Sequence, residues 1–285
     1  MSTFRTVSLA DLASKLLDPH ADSPPKVVAT AKRIRGVLNG QYIFDSTSTK
    51  LVWEHQYFPQ HWIPRSAFLD AATFTDPDDG RSLHAQAKAT DLSQQQQQWS
   101  VVKLSVGDKT VDALVVGDGQ GSELAGLVKI DFKALDTWYE EQAQILYHPK
   151  DPFHRVDILP SGRHVRVELD GVVLADTGAE GGVMSLWETR FPARWYLPPT
   201  AVKWEHLRPS DTHTGCPYKG QASYYHAVVG GKETRDVVWW YPNPTAESAL
   251  IAGLLCFYPD KVDIWVDGKP IEKIGVPVPS IKKAS

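Results

Sequence analysis

The sequence predicts a mainly β protein made of two tandem antiparallel domains, each with one short helix, behind an N-terminal helix. Three observations predict it. The same hairpin pattern opens both halves of the chain. Alternating apolar and polar runs recur between turns rich in Gly and Pro. Ten tryptophans and ten tyrosines supply the aromatic side chains that sheet faces favour.

The elements follow in order. Residues 8–17 place apolar side chains at helical spacing, so 1–32 reads as one amphipathic helix and a lead-in. From Arg33, RIRGVLNGQYIFDST alternates into Asn39-Gly40; from Arg163, RHVRVELDGVVLADT does the same into Asp170-Gly171. Both dipeptides are strong hairpin signals, because a type I′ turn needs positive φ at both central residues. Trp53-Glu54 then corresponds to Trp187-Glu188, and FPQHWIP to FPARWYLP. SVGDKTVDALVV, from Ser105, matches VVGGKETRDVVWW, from Val228. Finally GSELAGLVKIDFKALDTWYE aligns with AESALIAGLLCFYPDKVDIWVD, each a short helix and then a strand, with Asn243 or Thr245 placed to cap the second helix. The copies thus cover 33–139 and 163–274. Residues 140–162, with three prolines, read as a connector, 75–98 as a polar insertion in the first copy, and 275–285 as a loosely ordered tail.

Composition narrows the function. Thirty Lys and Arg against 34 Asp and Glu lack the positive excess of a general nucleic-acid binder. No window reaches the ~20 apolar residues of a membrane span, and the N-terminus lacks a signal-peptide pattern, so a soluble cytoplasmic protein is expected. The two cysteines, Cys216 and Cys256, form no CxxC pair. His148 and His154 lie six apart with no third ligand at metal spacing, and HExxH, GxSxG, P-loop and strand-linked GxGxxG motifs are absent. No metal and no organic cofactor are expected.

Only the second copy carries a dense polar and aromatic run, LRPSDTHTGCPYKGQASYYHAVVGG, where the first has its insertion. Asp211, Thr212, Thr214, Cys216, Tyr218 and Lys219 fall within nine positions, and Gly215, Pro217 and Gly220 suit a loop that holds side chains in fixed directions. Alternation sends Tyr224 and His226 to one face, and Trp239 and Tyr241 together. One reading is an enzyme for a small molecule: Lys219 and Tyr218 as the acid–base pair, Asp211 or Glu188 as the orienting carboxylate, and Trp239 and Tyr241 as walls. Lyase, isomerase, cyclase or hydrolase chemistry would fit. A second reading is a non-catalytic module that binds a small ligand or a modified side chain. The bland alternatives stay open beside them. Lys219 fits a salt-bridged lysine, Cys216 a buried small residue, the aromatics a sheet core, and Glu188, like Glu54, a structural partner for Arg190 or Arg194. Monomer and homodimer are equally open.

The runs RHVRVELDGVVLADT, LWETRFPARWYLP, DTHTGCPYKGQASYY, WWYPNP and IAGLLCFYPDKVDIWVDG, in this order, resemble the domain of unknown function 427 family, also labelled NTP_transf_9. HPKDPFHRVDILPSGRHVRV is similar to the linker of tandem members, and the first copy resembles a degenerate member without CPYKG and FYP. The resemblance implies a β-tent-like fold, similar to methionine sulfoxide reductase B and the ligand-binding domain of cereblon. Many such domains hold zinc through two CxxC pairs, which this chain lacks. The label implies nucleotidyl transfer, yet paired carboxylates beside a phosphate loop are absent. The family's recurring polar positions fall on Asp211, Thr212, Cys216, Tyr218, Lys219, Tyr224 and Tyr241, with Glu188 and Tyr196 near them. With Trp239 as a wall from strand alternation, the expected ligand contacts are Tyr196, Thr212, Cys216, Tyr224, Trp239 and Tyr241.

Overall fold

The computed structural model describes residues 7–18, 21, 23–76, 82–84, 99–118 and 122–273. The protein is mainly β, with four antiparallel sheets in two units, Arg5–Asp151 and Pro152–Ser285. Among the described residues no helix is long and apolar enough to cross a membrane.

In the N-terminal unit the larger sheet runs Val27–Ala29, Lys50–Val52, Gln60–Pro64, Leu127–Ile130, Lys109–Val116, Trp99–Val106, Thr73–Thr75, Ser82–His84. The smaller runs Ala143–Ile145, Thr137–Glu140, Ile34–Leu38, Gln41–Ser46. In the C-terminal unit the larger sheet runs Val156–Ser161, Val183–Glu188, Arg194–Leu197, Leu255–Phe257, Lys232–Trp240, Gly220–Val229, Leu207–Cys216, and the smaller Val172–Asp176, Val165–Leu169, Asp263–Val266, Lys269–Pro270. Strand for strand the larger sheets correspond, apart from Ser82–His84. The opening hairpins turn as their sequences require: Asn39 and Gly40 have φ of 50° and 71°, Asp170 and Gly171 of 50° and 79°. Each first strand also carries a bulge at the matching place, Gly36/Val37 and Val167/Glu168.

Each larger sheet has two buried faces. The inner face packs on the smaller sheet: Ile34, Phe44, Ile63, Val115, Val128 and Trp138 in the N-terminal unit, Val165, Leu174, Leu197, Val237, Phe257 and Ile264 in the C-terminal unit. Strand alternation sends the intervening residues outward. In the N-terminal unit these are Val52, Trp62, Leu114 and Val116, covered by helix α1 (Leu9–Leu16) through Leu12, Ala13 and Leu16. Ser8 caps α1 by accepting from the Asp11 amide, and each leucine buried adds roughly 1.5–3 kcal/mol.

Two expectations change. Residues 140–162 are not only a connector, because Ala143–Ile145 and Val156–Ser161 join the sheets. Pro160 hid the second of these; it lies in an edge strand, where a missing N–H breaks no ladder. The short helix of the second copy is a 3-10 stretch, Ala246–Ile251, with Thr245 at its N-cap, and residues 123–126 of the first copy form only a turn. The expected insertion at 75–98 and the tail at 275–285 lie outside the described residues, except 75–76 and 82–84.

Candidate active site

On the outer face of the C-terminal sheet, register places Tyr196 beside Cys256, Cys256 beside Trp239, and Arg194 beside Leu186. Tyr224, Tyr241 and Ile251 complete the layer. The Trp239 Nε1–H donates to the Tyr196 hydroxyl at 3.0 Å, and the Thr214 and Tyr224 hydroxyls are 2.6 Å apart. Tyr258 closes over Trp239 with ring centres 4.4 Å apart. Burial pushes the phenols of Tyr196 and Tyr241 well above their ordinary range and the Cys256 thiol up to about 12, so all three are neutral near pH 7.

A charged group sits at the end of this layer. Glu188 ends its strand; Oε2 accepts from Lys219 Nζ at 2.6 Å, and Oε1 lies 2.9 Å from His154 Nε2. The three side chains are 12%, 10% and 10% exposed. Burial alone would raise the Glu188 pKa; the hydrogen bond from His154 and the charge of Lys219 outweigh it and hold the carboxyl below its usual value. Tyr218 stacks on the His154 ring, centre to centre 4.4 Å.

Local geometry explains how the turn delivers Lys219. Tyr218 and Lys219 lie between the two longest strands, and Gly220 takes φ +99°, a conformation strained for any side chain. A Cβ there would also meet the Asn243 carbonyl oxygen at 3.1 Å. The Tyr218 carbonyl accepts from the hydroxyls of Thr245 and Ser248, and the Thr245 amide donates to the Lys219 carbonyl. The CPYKG and YPNP runs are therefore two halves of one clasp.

Residues 157–268 match the family model NTP_transf_9, described as a domain of unknown function (DUF427). The C-terminal unit carries a DUF427 domain. No curated protein matches the chain.

Within this DUF427 domain most of the residues singled out from sequence meet on one face. Glu188, Lys219, Tyr218, Tyr196, Tyr224, Trp239 and Tyr241 all belong to the layer or its charged end. Cys216 is near enough to raise the Tyr196 and Tyr241 pKa values. Asp211 is not brought there: it is exposed on the bulge between Ser210 and His213. Thr212 donates instead to Asp236, which also accepts from Ser210. His226 does not follow Tyr224, because a bulge between Tyr225 and Ala227 turns it to accept from the Asp236 amide. The partners of Glu188 that the structure shows are Lys219 and His154, not the expected arginine Arg194. Sequence reasoning missed His154 as a partner of Glu188. The only signal is long-range, since Val156 pairs with Glu188 across the edge of the sheet. Among the described residues no three His, Cys, Asp or Glu side chains group as metal ligands.

Proposed function

We propose that the C-terminal unit is an enzyme that moves protons on a small molecule, with His154, Glu188 and Lys219 as its acid–base group. The observation that carries this is the division of one carboxylate between an imidazole and an ammonium. An ionised carboxylate only accepts, so His154 Nε2 bears its proton toward Glu188 and Nδ1 is left as the acceptor. Among the described residues Nδ1 has no hydrogen-bond partner. A base oriented this way can take a proton from carbon beside a carbonyl, while the Lys219 ammonium stabilises the negative oxygen that forms. Return of the proton to a different atom isomerises the substrate; departure of a neighbouring group makes the step an elimination. Tyr218, stacked on the imidazole, fixes its plane.

We read the two units as copies of one duplicated domain, of which the C-terminal copy keeps the site. The matching strand orders and the shared Glu54 and Glu188 positions support that reading. Binding without turnover is the competing reading, because Trp239, Tyr224 and Tyr258 would form a wall for either. The test is hydrogen exchange into a panel of carbonyl compounds in deuterated water, followed by NMR. Exchange should occur with wild type and fall at least about 100-fold in His154→Gln, the usual weight of a general base. No exchange, or exchange that survives His154→Gln, would overturn the catalytic reading.

A further inference from the structure

Arg194 has no role in the acid–base group, and its surroundings are unusual. It lies on the outer face of the sheet and is only 8% exposed. Its guanidinium carbon is 5.9 Å from the centre of the Trp239 ring. Among the described residues its side chain has no hydrogen bond and no ion pair. Both oxygens of Glu188, the carboxylate on the neighbouring strand, are taken by His154 and Lys219. Arg194 and Lys219 are both close enough to Cys256 to favour its ionised form. The layer therefore holds two cations and one carboxylate, and the carboxylate is already shared. In the N-terminal unit the register places Gln60 at the matching position, opposite Val52 as Arg194 is opposite Leu186. The charge is peculiar to the face that α1 does not cover.

The Arg194 guanidinium has no carboxylate partner among the described residues, and its nitrogens keep contact with solvent, where an anion can reach them. Its planar fork matches the paired oxygens of a carboxylate or a phosphate. We propose that Arg194 is an anion anchor, and that the small molecule of this site is a flat organic anion. Its carboxylate or phosphate group is held by Arg194 against the Trp239 ring, while its reactive part faces Lys219 and His154. This rests on the site proposed above for its reacting end only; the anchor stands or falls by binding alone.

The experiment titrates the full-length protein with benzoate, phenyl phosphate, inorganic phosphate and the neutral analogue benzamide, read by tryptophan fluorescence and by melting temperature. Benzoate or phenyl phosphate should bind wild type at least about tenfold more tightly than benzamide, the factor expected from one charge-assisted hydrogen bond. The tighter of the two identifies carboxylate or phosphate as the preferred group, and inorganic phosphate binding as well as phenyl phosphate would overturn the flat-ligand part. Arg194→Met should erase the preference over benzamide. It should leave the melting temperature without ligand close to that of wild type, because the charge it removes has no partner in the protein; a merely structural arginine would lower it. Equal binding of benzoate and benzamide to wild type, which needs no variant to fold, overturns the proposal, as does binding unchanged in Arg194→Met. His154→Gln separates the two readings. If it abolishes exchange but leaves benzoate binding, both stand; if exchange is never seen while binding depends on Arg194, the anchor stands and the catalytic reading falls.

Discussion

The outer faces of the two larger sheets make an internal control. Both place a glutamate after a tryptophan, Glu188 at the end of Val183–Glu188 and Glu54 just past Lys50–Val52, and both set it against a lysine: Glu54 with Lys129 at 2.7 Å, Glu188 with Lys219 at 2.6 Å. The lysines come from different places. Lys129 occupies the strand position that Cys256 holds in the other unit, whereas Lys219 comes from a turn. The remaining partner of Glu54 is the Trp62 indole, at 3.0 Å, under the helix α1 that covers the face. The remaining partner of Glu188 is a titratable imidazole. A buried carboxylate and lysine are therefore an architectural feature of this sheet. What distinguishes the C-terminal face is the imidazole as third member, the polar aromatics and the Arg194 side chain without a partner among the described residues.

The largest effect to break this comparison comes from removing each lysine. Lys129→Met leaves Glu54 buried with only an indole donor and should cost about 3–5 kcal/mol of stability. Lys219→Met leaves Glu188 its hydrogen bond to His154 and should cost roughly 1–3 kcal/mol. Urea unfolding of the two variants measures the difference. Equal losses would mean that the C-terminal pair is as structural as its counterpart.

Next in size is the helix. Leu16→Ala uncovers Trp62 and Leu114 and should destabilise the N-terminal unit by about 2–5 kcal/mol. An unfolding transition shifted by less than ~1 kcal/mol would show that α1 contributes little to that face, well below the cost of emptying a core position.

Acid should separate the units by pH. Burial lowers the pKa of His61, whose Nε2 lies 3.2 Å from Glu140, and also that of His55. An unfolded histidine then binds a proton that the folded one refuses, so this stability is complete above about 6.5 and lost as pH falls below it. Glu188 has the carboxylate behaviour: its folded pKa is depressed, so its contribution is complete above about 4.5 and lost as pH falls through the folded value. Glu140 adds the same kind of loss, with its pKa lowered to about 2: burial would raise it, and the bonds to His61 and Lys32 prevail. Hydrogen exchange by mass spectrometry between pH 7 and 5 should show amides of 60–64 losing protection before those of 183–188. The reverse order would remove His61 as the first acid-sensitive group.

Local chemistry made much of this legible. The Asn-Gly and Asp-Gly hairpins, the α1 stripe and the mainly β architecture follow from turn residues and alternation. The candidate face was legible in part, because Tyr218 and Lys219 lie in a distinctive run and Trp239 alternates with Tyr241 after it, while Glu188 stood out because Glu54 follows a tryptophan in the same way. What alternation could not supply was the two bulges, which turn Asp211 and His226 away from the tyrosines. Nor could local pattern supply His154 or the isolation of Arg194. Those depend on which strands are neighbours and on what a side chain fails to meet.

The smallest effect tests the clasp. The Tyr218 carbonyl takes hydrogen bonds from the hydroxyls of both Thr245 and Ser248. Ser248→Ala removes one of two donors and should cost only about 0.5–1.5 kcal/mol, since the carbonyl keeps its other partner. Its consequence for the site should exceed its consequence for stability. The turn that loosens carries Lys219 Nζ to Glu188 and the Tyr218 ring to His154, and a displacement of a fraction of an ångström weakens both. The His154 imidazole resonances report this directly, because the ring loses the stacked phenol on one side. A Ser248→Ala protein that melts nearly as wild type but shifts those resonances would show the 3-10 stretch positioning the acid–base group. Unchanged resonances would leave it a structural brace alone.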